Sequence, residues 1–321
     1  MCTSNKEKYR KLCNEKPIPL FMQAWWMDAV CCEGKKWDVL LVEQNEEIKA
    51  SLVYHVVNRL GFKLIIQPQF TQYNGIWIDY SGSINNQKKY VFEKEIMNDF
   101  IEQLKQLKIN YFEQNFHHSI TNWLPFYWNG FKQTTRYTYQ INNLTDIENI
   151  YSSFSYAKKK QIKKTEKDFK VDFSIEAKEF YELHKHSLST DGKKIAYSMA
   201  LFQSIYNAAT AKEQGAIIGI RDLNNNLHAA LFIVWNSDTA YNLISAINPL
   251  YKSSGASTRV VWEAIKFLSN KTTIFDFEGS MIEGVAQSFQ QFGTEQVPYF
   301  NISKLNSKSL SILLRIKQSW K

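Results

Sequence analysis

Residues 273–302 read TIFDFEGSMIEGVAQSFQQFGTEQVPYFNI. The apolar run at 273–277 predicts a buried strand and the Glu278-Gly279 step a sharp turn. Residues 283–292 predict a short helix closed by Phe292-Gly293, and 296–303 a final strand. Just upstream, residues 248–258 read NPLYKSSGAST. Pro249 stops a strand predicted over 239–247. The small residues after it open a helix predicted over 256–269.

Outward from this stretch, 216–222, 227–236 and 239–247 predict a meander. Helices are predicted over 146–169, 176–187 and 198–212. The first half of the chain has the same grammar. A helix over 20–32 precedes a hairpin of 37–44 with 48–57, then strands at 62–67 and 76–79. Helix 87–107, strand 109–113, helix 119–128, Gly130 and strand 133–141 then match the order of 256–303. This repeat of architecture predicts an α/β protein (α+β mixed sheet) of two similar domains. The expected domains are 18–145 and 146–321, with 146–170 a basic linker helix.

Apolar residues make up 44% of the 321 and aromatics 15%, which excludes global disorder. The net charge of +8 suits anionic partners or simply solubility. Cys2, Cys13, Cys31 and Cys32 all fall early and show no metal-ligand spacing, so no metal is expected. Their scarcity fits a reducing cytoplasm. No secretory signal and no run of 18 apolar residues occurs, so no membrane insertion is expected. In the C-terminal SLSILLRIKQSWK, Leu310, Leu313, Leu314 and Ile316 are expected to dock on the protein body; the other reading is a basic amphipathic helix at a membrane surface.

Four segments have residues suited to chemistry. In Lys252, Ser253, Ser254, Gly255, Ala256 and Ser257, small residues let backbone approach a ligand, and a helix N-terminus follows; this suits an anion or merely caps the helix. Asp276 and Glu278 alternate at a strand end and are expected to face one side. Asp276 either caps a loop or binds Arg259 as a structural acid, or orients or deprotonates an amine. In YAKKKQIKKTEKDFK (156–170), Lys160, Lys163, Lys164 and Lys167 share a helical face, either solvated or tracking phosphates. His184, His186 or Asp191 is either an ordinary core or surface residue or a proton-transfer group.

SFSYAKKKQIKK, KSSGAS before a helix, and FDFEGSMIEGVAQSFQQFG followed by VPYF make residues 151–303 resemble the acyltransferase domain of the FemAB-like branch of the GNAT superfamily. FemAB-type proteins carry two GNAT-like domains in tandem, each a mixed, mostly antiparallel sheet flanked by helices. The resemblance implies a cytoplasmic acyltransferase acting on a small-molecule or peptide amine. Its co-substrate would be acyl-CoA, with no permanently bound cofactor. The donor pyrophosphate would rest on Lys252–Ser257. Asp276 or Glu278 would handle the amine, and Tyr251 would protonate the leaving thiolate. Lys160, Lys163 and Gln290 would contact substrate. The alternatives are an aminoacyl-tRNA-dependent, peptidoglycan-type ligase, with tRNA as partner, and a GNAT-like binding protein without turnover. Gln290 and Gln291 stand where the family often has a basic residue. The long coiled-coil hairpin of some tRNA-using members is absent, which favours a CoA-type donor.

Overall fold

The computed structural model describes residues 4–80 and 85–319. Cys2 lies outside them, as do the side chains of Leu314 and Ile316. The first elements are α1 (Asn5–Glu15), α2 (Ala24–Val30), β1 (Lys36–Gln44), β2 (Glu47–Arg59), β3 (Phe62–Ile66) and β4 (Gly75–Ile78). Then come α3 (Asn86–Gln106), β5 (Tyr111–Asn115), α4 (Leu124–Trp128) and β6 (Lys132–Asn142). The second half holds α5 (Ile147–Ser153), α6 (Tyr156–Thr165), β7 (Phe169–Asp172), α7 (Ala177–Thr190), α8 (Met199–Ala211), β8 (Gly215–Asp222), β9 (Leu227–Trp235) and β10 (Thr239–Ile247). It ends in α9 (Ala256–Leu268), β11 (Ile274–Asp276), α10 (Glu283–Gln290), β12 (Glu295–Leu305) and α11 (Lys308–Ser319).

Two compact units form, Met1–Arg136 with Pro298–Lys321, and Tyr137–Val297. The sequence placed a single boundary at 145/146. The chain end rejoins the first unit because β12 pairs antiparallel with β5, Asn301 opposite Asn115 through Leu305 opposite Tyr111. In that unit β1, β2 and β3 form an antiparallel meander, and β3 pairs parallel with β5. Ile96, Phe100 and Leu104 of α3 pack with Leu52, Ile65 and Phe112.

In the second unit β7, β8, β9 and β10 run antiparallel, β10 pairs parallel with β11, and β11 antiparallel with the end of β6. Every residue of β9 is buried, as its unbroken apolar run requires of a central strand. Val260, Ala264, Ile265 and Leu268 line one face of α9 and pack against Leu231, Ile233 and Phe275.

The predicted helix 146–169 is two helices. Phe154 turns extended, Ser155 caps α6 through the Lys158 N–H, and α6 stops at Thr165. Lys167 therefore leaves the helical face shared by Lys160, Lys163 and Lys164. In α11, Leu310 is half-buried, while Ile312 and Leu313 are 60% and 48% exposed, so Leu313 does not dock on the body. No described helix is long and apolar enough to cross a membrane.

Candidate active site

β10 and β11 pair only from Thr239 opposite Ile274 to Tyr241 opposite Asp276. β11 ends there, and β10 runs on to Ile247 with β9 alone as neighbour. The cause is local. The Phe277 N–H donates to the Tyr139 carbonyl at 2.9 Å, and Gly279, at φ +66°, lies directly on the Tyr137–Thr138 backbone. A β-carbon at Gly279 would sit 2.8 Å from the Thr138 Cα, so only glycine fits. The chain thus stays with β6 and leaves β10. A register shift between Asn242 and Ile244 makes Leu243 a bulge on β10. Bulges interrupt a ladder locally and bend the strand that carries them.

Beyond β10, Asn248 caps the short helical turn Pro249–Tyr251 through the Leu250 N–H. Gly255 then opens α9 at φ +94°, and a β-carbon there would lie 2.9 Å from the Gln161 carbonyl oxygen of α6. The loop is clamped to α6 twice more, by Lys164 donating to the Ser253 carbonyl at 3.1 Å and by Thr258 bonding the Gln161 side chain. Gly255 and Ala256 are buried; Ser254 and Ser257 are half-buried; Lys252 and Ser253 are exposed. Lys252 pairs with Asp191 at 2.7 Å, at the C-terminal end of α7. In the first turn of α9 the Ala256 N–H donates to Ser254 Oγ at 3.2 Å and the Thr258 N–H to the Gly255 carbonyl at 3.1 Å, so the turn offers the Ser257 N–H and a positive dipole end.

Asp276 is 1% exposed. It accepts from Thr138, from Gln140 Nε2 at 2.8 Å and from the Glu278 N–H at 2.6 Å. Arg259 does not bind Asp276; it pairs with Glu263 and Glu166. Nor do Asp276 and Glu278 alternate on one strand. β11 ends at Asp276, and Glu278 adopts φ +62°, a left-handed conformation rare for a side chain. Such strain persists where surroundings over-determine it, often at functional sites. Glu278 Oε1 is buried without a hydrogen-bond partner. Burial, and then the neighbouring Asp276 charge, push its carboxyl well above the ordinary range. The pair therefore divides its roles: an acid locked by donors beside an acid whose proton is held tightly and whose oxygen is unclaimed.

Tyr251 is half-buried and stacks on His228 at 3.8 Å, while His228 Nε2 contacts Asp222 at 3.2 Å. Lys160, Lys163 and Gln290 are exposed, and their side chains make no hydrogen bond among the described residues. His184 Nδ1 lies 2.6 Å from the Tyr197 hydroxyl, and burial lowers its pKa; His186 is exposed. The sequence reading missed Thr138, Gln140 and Gln161. The polar pair at 138 and 140, two apart between Tyr137, Tyr139 and Ile141, was the available signal for one inward polar face.

It also missed Lys158. This lysine is buried over the Phe292 ring, 4.4 Å away, and donates to Ser288 Oγ at 3.0 Å. Burial pulls its pKa down to about 8. The unfolded chain holds the proton up to its ordinary value, so folding with Lys158 charged carries a penalty below that pH. Stability rises as pH climbs from about 8 to the ordinary lysine value of 10.5. Lys158→Met, which keeps the apolar stem, is expected to raise stability at neutral pH by about 1 kcal/mol. The gain fades in strongly alkaline solution. Urea midpoints across pH check this; a gain that persists in alkali contradicts it.

No protein-family model matches the chain. No curated protein matches it either. Solved structures do. FemX is similar with a TM-score of 0.71 at 14% identity, over 94% of this chain and 96% of that one. L-PGS from Bacillus licheniformis is similar at 0.59 and 9%, over 97% and 96%. A tandem GNAT protein from the clavulanic acid biosynthesis pathway is similar at 0.56 and 7%, over 94% and 93%. At these identities the likeness concerns fold alone: the chain is similar in fold, over nearly its whole length, to FemX and to a tandem GNAT protein.

Proposed function

We propose that the second unit is an acyltransferase moving an acyl group from an acyl-CoA-type donor to an amine. The observation that carries this reading is the parting of β10 from β11, with Glu278 at the end of one strand and the Gly255 loop after the other. The donor pyrophosphate rests on the first turn of α9 at Gly255–Ser257, with Lys252 alongside. The thioester lies in the opening, its carbonyl polarised by a peptide N–H of β10 past the bulge. The amine nitrogen attacks the thioester carbon and its proton passes to Glu278 in its ionised form, which its raised pKa makes available toward higher pH. The carbon–sulfur bond breaks, and Tyr251, held against His228, protonates the thiolate. Asp276 positions Glu278 and does not exchange protons. The donor is a co-substrate, and the acceptor is a small-molecule or peptide amine.

A second reading, aminoacyl-tRNA as donor, draws support from exposed Lys160 and Lys163 on the helix that clamps the loop. Thermal unfolding with each donor decides. Acetyl-CoA at about a hundred times its Kd is expected to stabilise the protein by about 2.7 kcal/mol. Ser257→Glu, which a helix N-terminus tolerates, abolishes that shift by repelling pyrophosphate. A shift with charged tRNA alone, lost at high salt and in Lys160→Glu/Lys163→Glu, turns the assignment to the second reading. No shift with either leaves a binding protein without turnover.

A further inference from the structure

The first unit carries an apolar groove of about 640 Å³ between α3 and α4, with no part in the chemistry above. Tyr90, Val91, Lys94, Trp123, Leu124 and Trp128 are among its lining residues. Its large side chains protrude: Trp128 is 60% exposed, Tyr90 59% and Leu124 48%. A cluster of large apolar side chains held in water marks an interaction surface. Lys94 is the charged residue lining it among the described residues, and its ammonium sits 5.8 Å over the Trp128 ring. The same unit holds α11, where Ile312 and Leu313 stay exposed. Residues 308–321 carry Lys308, Arg315, Lys317 and Lys321 and no acid.

We infer that the first unit docks on an anionic lipid surface through the Leu124–Trp128 patch. Tryptophan and tyrosine are the side chains that settle at a lipid–water boundary, apolar body inward and polar tip wet. A lysine beside them meets lipid phosphates while its stem lies on the ring. An acid-free helix with exposed isoleucine and leucine has the composition of an interfacial helix. Charge argues against a second copy as occupant: two patches facing across a two-fold axis bring Lys94 toward Lys94, and among the described residues no acid lines the groove.

The test uses the full chain with phosphatidylcholine vesicles, with and without about one third phosphatidylglycerol. Co-sedimentation is expected with the anionic vesicles only, with release at high salt. Leu124→Ser/Trp128→Ser removes exposed groups, so its unfolding midpoint should stay in place while bound protein falls about tenfold. Lys94→Glu provides a second variant that touches no core residue. Absence of binding to anionic vesicles overturns the inference. So does equal binding by both variants. A dimer of the unmodified chain that Leu124→Ser/Trp128→Ser splits assigns the patch to contact between copies and overturns it as well.

Discussion

Glu278→Gln is expected to cut acyl transfer by about 10²–10⁴-fold in turnover, with donor binding unchanged. The amide keeps the shape and left-handed backbone but takes no proton from the attacking amine. Stability should move the other way. Burial and the Asp276 charge raise the Glu278 carboxyl in the folded protein. Its contribution to stability is therefore full below the ordinary carboxylate range and lost as pH rises through the raised value. Glutamine removes this loss, so the variant is as stable as the parent in acid and more stable at neutral pH and above. The parent's turnover should fall on the acid side at a pH above the usual carboxylate range, and the variant's residual activity should lack that limb. Normal turnover in Glu278→Gln would remove Glu278 from the mechanism.

Asp276→Ala should act oppositely on stability. Three donors, from Thr138, Gln140 and the Glu278 backbone, converge on this buried carboxylate. Deleting it removes the buried acceptor the three share, at a cost of about 3–5 kcal/mol. A lower urea midpoint at unchanged denaturant slope would show this. The turn it fixes carries Glu278, so activity falls too, but the protein that remains folded should show its acid limb at lower pH, because one cause of the raised Glu278 pKa is gone. If the midpoint stays where it was, Asp276 is not the clamp that its partners imply.

The order of elements was legible because their signals are local. The unbroken apolar run of β9, the helical spacing of α9 and the glycine after Phe292 each depend on neighbours a few residues away. Splitting 146–169 into α5 and α6 was legible in Ser155 but masked by the lysines that follow. The unit boundary was not legible, because it depends on β12 returning to β5. Likewise, α11 reads as a helix in sequence, yet whether Leu313 docks depends on the surface it meets.

The acid pair shows where sequence stops. Asp276, Glu278 and Gly279 were visible in the chain as a strand end with a turn, and Gly255 as the opening of a helix. Strand periodicity placed both acids on one side. Their separation came from contacts 138 and 136 residues away in sequence, where Thr138 and Gln140 lock Asp276. The Tyr137–Thr138 backbone forces Gly279, and with it Glu278, off the strand. Local pattern determined which residues stand at the end of β11. Only tertiary packing decided which carboxylate is saturated with donors and which is buried with an oxygen unclaimed, because desolvation and hydrogen bonding depend on what surrounds a group in space.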